Sequence, residues 1–310
     1  MPAFNHRLPP TVVELEGEFT HRMLHTRGIR LHAVTAGEPD NPLILLLHGT
    51  FGGWFDFVDV ITSLAERGFY VAALDMRGYG MSDKPLPRSG NEMLIAVGDV
   101  KGAITTLGHT RAVLAGVDTG GAVAWVAAAM HPEIVSGLVS ISAAHPADLR
   151  EAMSARPWDF VPMLGRVTLA RVPSRILQRF SRTRRRLYRD NLAINTTGAF
   201  QHSGRFNRVL ELRRTAAAID NAFIHSVHNS RLLTPPIASF GRPGARRAPV
   251  TAPVLLLHPP QSLWDRLVAR QRRRARGEVR ELSIPEAKNL PHIENPGGFV
   301  DAVARFAGRA

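Results

Sequence analysis

The stretch Leu114-Ala-Gly-Val-Asp118-Thr-Gly-Gly-Ala122 constrains the fold more than any other part of the chain. An apolar run ends in a polar residue set among small ones, and an amphipathic segment follows, so the stretch reads as strand, sharp turn and helix. At such a turn the apex residue is held at strained backbone angles, and the flanking glycines let neighbouring backbone pass close by. The apex here is Asp118. In Gly116-Val117-Asp118-Thr119-Gly120 a carboxylate stands where a G-x-S-x-G turn has serine, so a covalent intermediate would be an alkyl ester rather than an acyl ester. Substrates with a saturated electrophilic carbon suit that chemistry. Asp118 is also suited to capping the helix that starts near Thr119, because its charge complements the positive end of the helix dipole.

The rest of the chain supplies the sheet that such a turn needs. Residues 21–25 and 29–34 alternate apolar with polar across Arg27-Gly28 and predict two antiparallel strands. Residues 43–47, 69–74 and 112–115 are apolar runs, as expected of strands buried on both faces of a parallel sheet, 135–142 reads as another buried strand, and helices are predicted near 54–67 and 92–107. The rhythm stops after His145. From 146 to 249 there is helical periodicity, many arginines and breakers such as Pro157, Pro173, Gly198 and Pro235, which predicts an inserted helical cap. Strand runs return at 254–257 and 279–284, with helices near 263–274 and 296–306. The expected fold is α/β: a mostly parallel eight-stranded sheet with helices on both faces, a core from 19–145 and 250–310, and a cap between. The Asp118 turn then lies at the C-terminal end of a strand, where ligands bind in such sheets.

Composition narrows the function. With 310 residues, 45% hydrophobic and 21% charged, the chain is an ordinary globular protein long enough for one core and an insertion. It has no run of about 18 apolar residues and no charged-then-apolar leader, so a cytoplasmic protein without a membrane span is expected. The absence of cysteine excludes disulfides, thiol nucleophiles and thiolate metal sites; no metal or cofactor is expected. The net charge of +13 is concentrated in two arginine runs, 182–189 and 270–276. Neither is interleaved with aromatics or accompanied by a nucleic-acid module signature, so both read as solvated helix faces and no specific nucleic-acid partner is expected.

Five motifs in order resemble the α/β-hydrolase family, and within it the epoxide hydrolase and haloalkane dehalogenase branch. They are His48-Gly-Thr-Phe-Gly-Gly-Trp54, Asp75-Met-Arg-Gly-Tyr-Gly-Met-Ser82, the Asp118 turn, Ala144-His-Pro146 and Leu290-Pro-His-Ile-Glu-Asn-Pro296. The resemblance implies an α/β-hydrolase fold with Asp118 as nucleophile and His292 as the base that activates water. Backbone N–H groups of Thr50 and Thr119 are the expected oxyanion donors. The family places an acid after the strand at 254–257, but Ser262 stands there, so Asp265, the nearest carboxylate, is the candidate third catalytic residue, with an exposed place on the first turn of a helix as its other reading; the alternative site after the preceding strand holds Ser142, with Asp148 and Glu151 further on. Tyr188, Phe51 and Trp54 are the expected substrate-binding side chains, Trp54 as core or pocket wall rather than a reacting group; Phe223 falls where the family has a second cap tyrosine, with His225 and His228 as nearby polar substitutes. His48 reads as a structural histidine that orders its loop. The expected activity is cofactor-independent, epoxide hydrolase-like hydrolysis of a small apolar organic substrate by a chain compatible with a homodimer. A haloalkane dehalogenase-like hydrolase is the alternative within the branch, disfavoured because Thr119 replaces the tryptophan that would hold a halide. A different class of alternative is a binding or regulatory protein that keeps the fold with weak or lost turnover.

Overall fold

A computed structural model describes residues 8–85, 92–161, 164, 165, 168, 172, 176, 181–235 and 247–310, with side chains in the helix at 181–195 described from residue 185. The apolar runs form strands β1 (Thr20–Thr26), β2 (Ile29–Ala36), β3 (Leu43–Leu47), β4 (Tyr70–Leu74), β5 (Ala112–Val117), β6 (Val135–Ile141), β7 (Val254–Leu257) and β8 (Val279–Leu282). They make one sheet in the order β1-β2-β4-β3-β5-β6-β7-β8. β2 pairs antiparallel with β1 and β4, and every other pairing is parallel. The β1–β2 turn has φ of 49° at Arg27 and 77° at Gly28, the two positive values whose twist suits a tight hairpin.

Eleven helices are described: α1 (Val58–Ala65), α2 (Glu92–Thr106), α3 (Asp118–Met130), α4 (Pro146–Ala155), α5 (Ser181–Asn195), α6 (Gly198–Gln201), α7 (Gly204–Ala218), α8 (Ala222–Asn229), α9 (Ser262–Arg274), α10 (Pro291–Glu294) and α11 (Pro296–Ala307). Successive strand residues point to opposite faces, so Ile44 and Leu46 join the core under α1 and α11, whereas Leu45 and Leu47 join the core under α2 and α3. Both faces of β3 are therefore buried, which is why it reads as a continuous apolar run. Among the described residues from 146 to 249 none adds a strand to the sheet; α4 to α8 lie there. No helix among the described residues is long and apolar enough to cross a membrane.

The arginine runs are less uniform than expected. Arg185, Arg186 and Arg189 are exposed, as are Arg272, Arg273 and Arg276, while the side chains of Arg182 and Arg184 lie outside the described residues. Arg274 departs from the pattern: it grips Asp148 with two bonds of 2.7 and 2.6 Å, both side chains being under a tenth exposed, and so ties α9 to α4.

A buried carboxylate fastens the front of the sheet. Asp75, fully buried after β4, accepts from the backbone N–H of Trp54 (3.0 Å) and Met81 (3.0 Å) and from Nδ1 of His32 on β2 (2.8 Å). Burial by itself would raise its carboxyl, but the hydrogen bond and charge of His32 hold it below the usual range. Asp75→Ala removes one partner of a buried pair and orphans two N–H groups, and is expected to cost about 3–5 kcal/mol in urea denaturation. A loss below about 1 kcal/mol would show that water replaces the carboxylate there.

Candidate active site

Asp118 begins α3 directly after β5 and has φ of 48°, the left-handed region that a side chain with Cβ enters only when its surroundings hold it there. The glycines around it are required by close approach. A Cβ on Gly120 would lie 2.5 Å from the carbonyl oxygens of Leu47 and His48, and one on Gly116 would lie 2.6 Å from the backbone of Gly121. Thus the end of β3, the Asp118 turn and the first turn of α3 are packed backbone to backbone.

That packing brings the loop after β3 onto the carboxylate. Oδ2 of Asp118 accepts from the Thr50 hydroxyl at 2.7 Å and from the Thr50 backbone N–H at 3.2 Å. The loop is itself fixed: Tyr79 donates its hydroxyl to the Thr50 carbonyl at 2.9 Å, and His48 donates from Nδ1 to the Gly49 carbonyl while its Nε2 accepts from Met76 N–H at 3.1 Å. Those bonds need a neutral His48, and burial lowers its pKa accordingly. His48 is a structural histidine. Thr119 is buried in the first turn of α3, where backbone N–H groups have no intrahelical acceptor.

A cavity of about 290 Å³ opens at the carboxylate, walled by the loops that follow β3, β5, β6 and β7 and by α5 and α7. Phe51 lines it; Trp54 and Tyr188 do not. Trp54 is fully buried, its indole N–H donated to the Val13 carbonyl at 3.1 Å, because the 3₁₀ turn Trp54–Phe57 points it into the core. Tyr188 is 2% exposed, packs edge-on against Phe51 at 5.0 Å and lies 3.2 Å from the Ser226 hydroxyl. Tyr188 therefore supports the wall at Phe51 from behind, whereas Trp54 belongs to the core. His225 is no cavity group either, since its ring covers Gly78, where a Cβ would meet it at 2.4 Å.

Sequence reasoning passed over the buried arginine of this cavity. Arg213 on α7 lines it and is held by Asp56 through bonds of 3.0 Å from Nε and 2.9 Å from Nη2, the two side chains being 4% and 3% exposed. A signal existed in Trp54-Phe-Asp-Phe57: a carboxylate among buried aromatics demands a partner of opposite charge.

His292 lies on α10, 1% exposed, its ring 4.8 Å from Phe57 and 5.8 Å from Phe299. It is not part of the cavity wall, and among the described residues its Nδ1 has no hydrogen-bond partner. Asp265 does not fill that place: it is exposed on the first turn of α9, which turns it toward solvent, and so is Ser262. The structure thus brings Thr50, Phe51 and Asp118 together, and among the described residues no carboxylate meets Nδ1 of His292. Burial, and after it the positive charge of Arg213, pull the imidazole down to about 3.

That depression has a consequence for stability. His292 at about 3 and His225, lowered by burial and Lys84 to about 4, bind fewer protons folded than unfolded, where histidine titrates near 6.5. Stability is therefore lost as pH falls below about 6.5, by at most ~1.4 kcal/mol per unit for each group. Urea midpoints from pH 7 to 4.5 should fall, and His292→Gln should flatten the slope; an unchanged slope would show that His292 does not resist protonation.

Comparison with known proteins agrees with the topology. The family described as alpha/beta hydrolase fold matches residues 42–219, more than half of the chain. Epoxide hydrolase B of Mycobacterium tuberculosis is 41% identical over 124 residues, 39% of this chain and 35% of that protein. Epoxide hydrolase 4 of Homo sapiens is 35% identical over 158 residues, 50% of this chain and 43% of that protein. The matched stretches thus span less than half the length of these relatives. The crystal structure of epoxide hydrolase A from Mycobacterium thermoresistibile superposes with a TM-score of 0.72 at 21% identity, covering 93% of this chain and 98% of that one, a likeness of fold. The chain belongs to the α/β-hydrolase fold family.

Proposed function

We propose that the chain is a hydrolase of the epoxide hydrolase type, with residues 146–249 as a cap over the C-terminal edge of the sheet, that forms an alkyl ester on Asp118 and hydrolyses it slowly. The observation that carries this reading is the pair of Thr50 donors on Oδ2 of Asp118. If Oδ1 attacks carbon, Oδ2 becomes the carbonyl oxygen of the ester. Water adding to that carbonyl then puts negative charge on Oδ2, where two donors already wait without further rearrangement. The cavity wall, largely Phe51, Leu149, Phe160, Leu233, Trp264 and Leu290, suits a small apolar electrophile.

The second step is the weak one. A histidine that deprotonates water becomes an imidazolium, and a carboxylate on its other nitrogen ordinarily fixes its tautomer and stabilises that charge. His292 has neither service from the described residues. In the serine-protease arrangement, converting the orienting aspartate to its amide costs ~10⁴ in turnover, so ester hydrolysis here is expected to trail alkylation by a factor on the order of 10² or more. The same observation favours, as a second reading, a protein that binds or traps its ligand without useful turnover.

Intact mass measured after rapid mixing with styrene oxide tests both steps. The parent should show a burst of adduct that clears slowly, Asp118→Ala none, and His292→Gln an adduct that persists longer. Adduct on Asp118→Ala would remove Asp118 from its role, and an adduct that never clears from the parent would select the trapping reading. The clearing rate should also be level from about pH 5 to 8, because a base with a pKa of about 3 is already neutral throughout. A sigmoid centred near 6.5 in that rate would mean that His292 is solvated in the reacting state.

A further inference from the structure

When a carboxylate opens a three-membered ring, the electron pair of the breaking C–O bond moves onto oxygen, and that oxygen needs a donor in place before the bond breaks. The Thr50 donors are engaged on Asp118 itself. The chain has three tyrosines, and none lines the cavity. Tyr70 accepts from Arg22 at 2.7 Å, Tyr79 donates to Thr50, and Tyr188 lies against Ser226. His292 is off the wall, and Lys288 at the rim donates its ammonium to the Ile194 carbonyl at 2.6 Å.

Arg213 is different. A guanidinium carries five N–H donors, and Asp56 takes two of them. The others have no acceptor among the described residues, although the side chain is nine-tenths buried and lines the cavity. Asp56 supplies the counter-charge that makes a buried cation tolerable, and it is wedged in place by Gly52, where a Cβ would stand 2.0 Å from its Oδ2. A cation so placed and so fixed is preorganised for a negative charge that develops in the cavity.

We infer that Arg213 is the catalytic residue that receives the leaving oxygen, with Asp56 as its positioning residue, a role that rests on the function proposed above. Asp118 Oδ1 gives an electron pair to the ring carbon as the C–O bond breaks, and the resulting alkoxide is held against the guanidinium. Arginine keeps its protons at any working pH, so the alkoxide takes its proton from water and leaves hydroxide. His292 deprotonates the water that adds to the ester carbonyl, the diol leaves as the Asp118 carboxylate is restored, and the imidazolium returns its proton to that hydroxide, so that epoxide and one net water give one diol. The substrates favoured are apolar epoxides whose oxygen can face α7 while a ring carbon faces Asp118.

The test reads ester formation alone, by rapid quench and intact mass, in a His292→Gln background with styrene oxide and 1,2-epoxyoctane as probes. Removing Arg213 singly would strand a buried Asp56, so the informative variant pairs Arg213→Gln with Asp56→Asn, keeping the shapes and a hydrogen bond while removing both charges. The maximal rate of ester formation should fall about 10²–10³-fold with little change in the epoxide concentration for half-maximal rate, and Arg213→Lys should recover part of the loss. Thermal unfolding of each variant checks that it is folded. A folded double variant that alkylates within a few-fold of the background protein overturns the role of Arg213 and leaves the proposed function standing. No ester on Asp118 with either epoxide in the protein that retains Arg213 overturns the proposed function, and this inference with it.

Discussion

Three pieces of backbone meet without side chains between them: the end of β3, the turn at Asp118 and the first turn of α3. Glycine is obligatory at Gly120 because carbonyl oxygens of Leu47 and His48 stand where a Cβ would go. That contact is what presents Asp118 at a strained φ of 48° above the sheet, and what lets the loop after β3 lay Thr50 across its carboxylate. The strain costs on the order of 1–3 kcal/mol and is sustained by the buried parallel strands on either side. A neutral His48 and the hydroxyl of Tyr79 then keep the loop from relaxing away from the position the turn requires.

The helices from 146 to 249 are joined to this scaffold by charge as well as by apolar contact. Arg213 and Asp56 form a bidentate pair at 2.9–3.0 Å with almost no exposure, linking α7 to the 3₁₀ turn at Trp54–Phe57. A buried pair of this kind is weak evidence for net stability, since desolvation offsets much of the attraction. Its effect is on specificity of arrangement: breaking it leaves a charge with no solvent, so α7 has one place to sit.

Much of this was legible in the sequence. The apolar runs at 43–47 and 112–115 read as strands buried on two faces, and the spacing of glycines about Asp118 marks the turn. Thr50 and Phe51 followed from their place after His48-Gly49. What failed did so for physical reasons. Trp54 and Tyr188 are aromatic residues with a polar edge, and sequence does not say whether that edge meets a substrate or a protein partner; here they meet Val13 and Ser226. Asp265 sits one helical turn from the expected position, and the phase of α9 turns it outward. Arg213 was hidden among thirty-nine lysines and arginines, and only the helix packing shows that it is buried while its neighbour Arg214 is partly exposed.

The two halves of an alkyl-ester mechanism ask opposite things of their surroundings. Alkylation carries negative charge away from Asp118 toward a leaving oxygen and is helped by a fixed cation; ester hydrolysis creates positive charge on a histidine and is helped by a fixed anion. This cavity holds a fixed cation, Arg213. Arg213, neutralised but not cancelled by Asp56, adds to burial in holding His292 far below its usual range, and no carboxylate among the described residues opposes it. The arrangement that favours the first step therefore disfavours the second. Because each unit of depressed pKa represents about 1.4 kcal/mol against the imidazolium, the imbalance is large compared with what orientation of a neutral ring can recover.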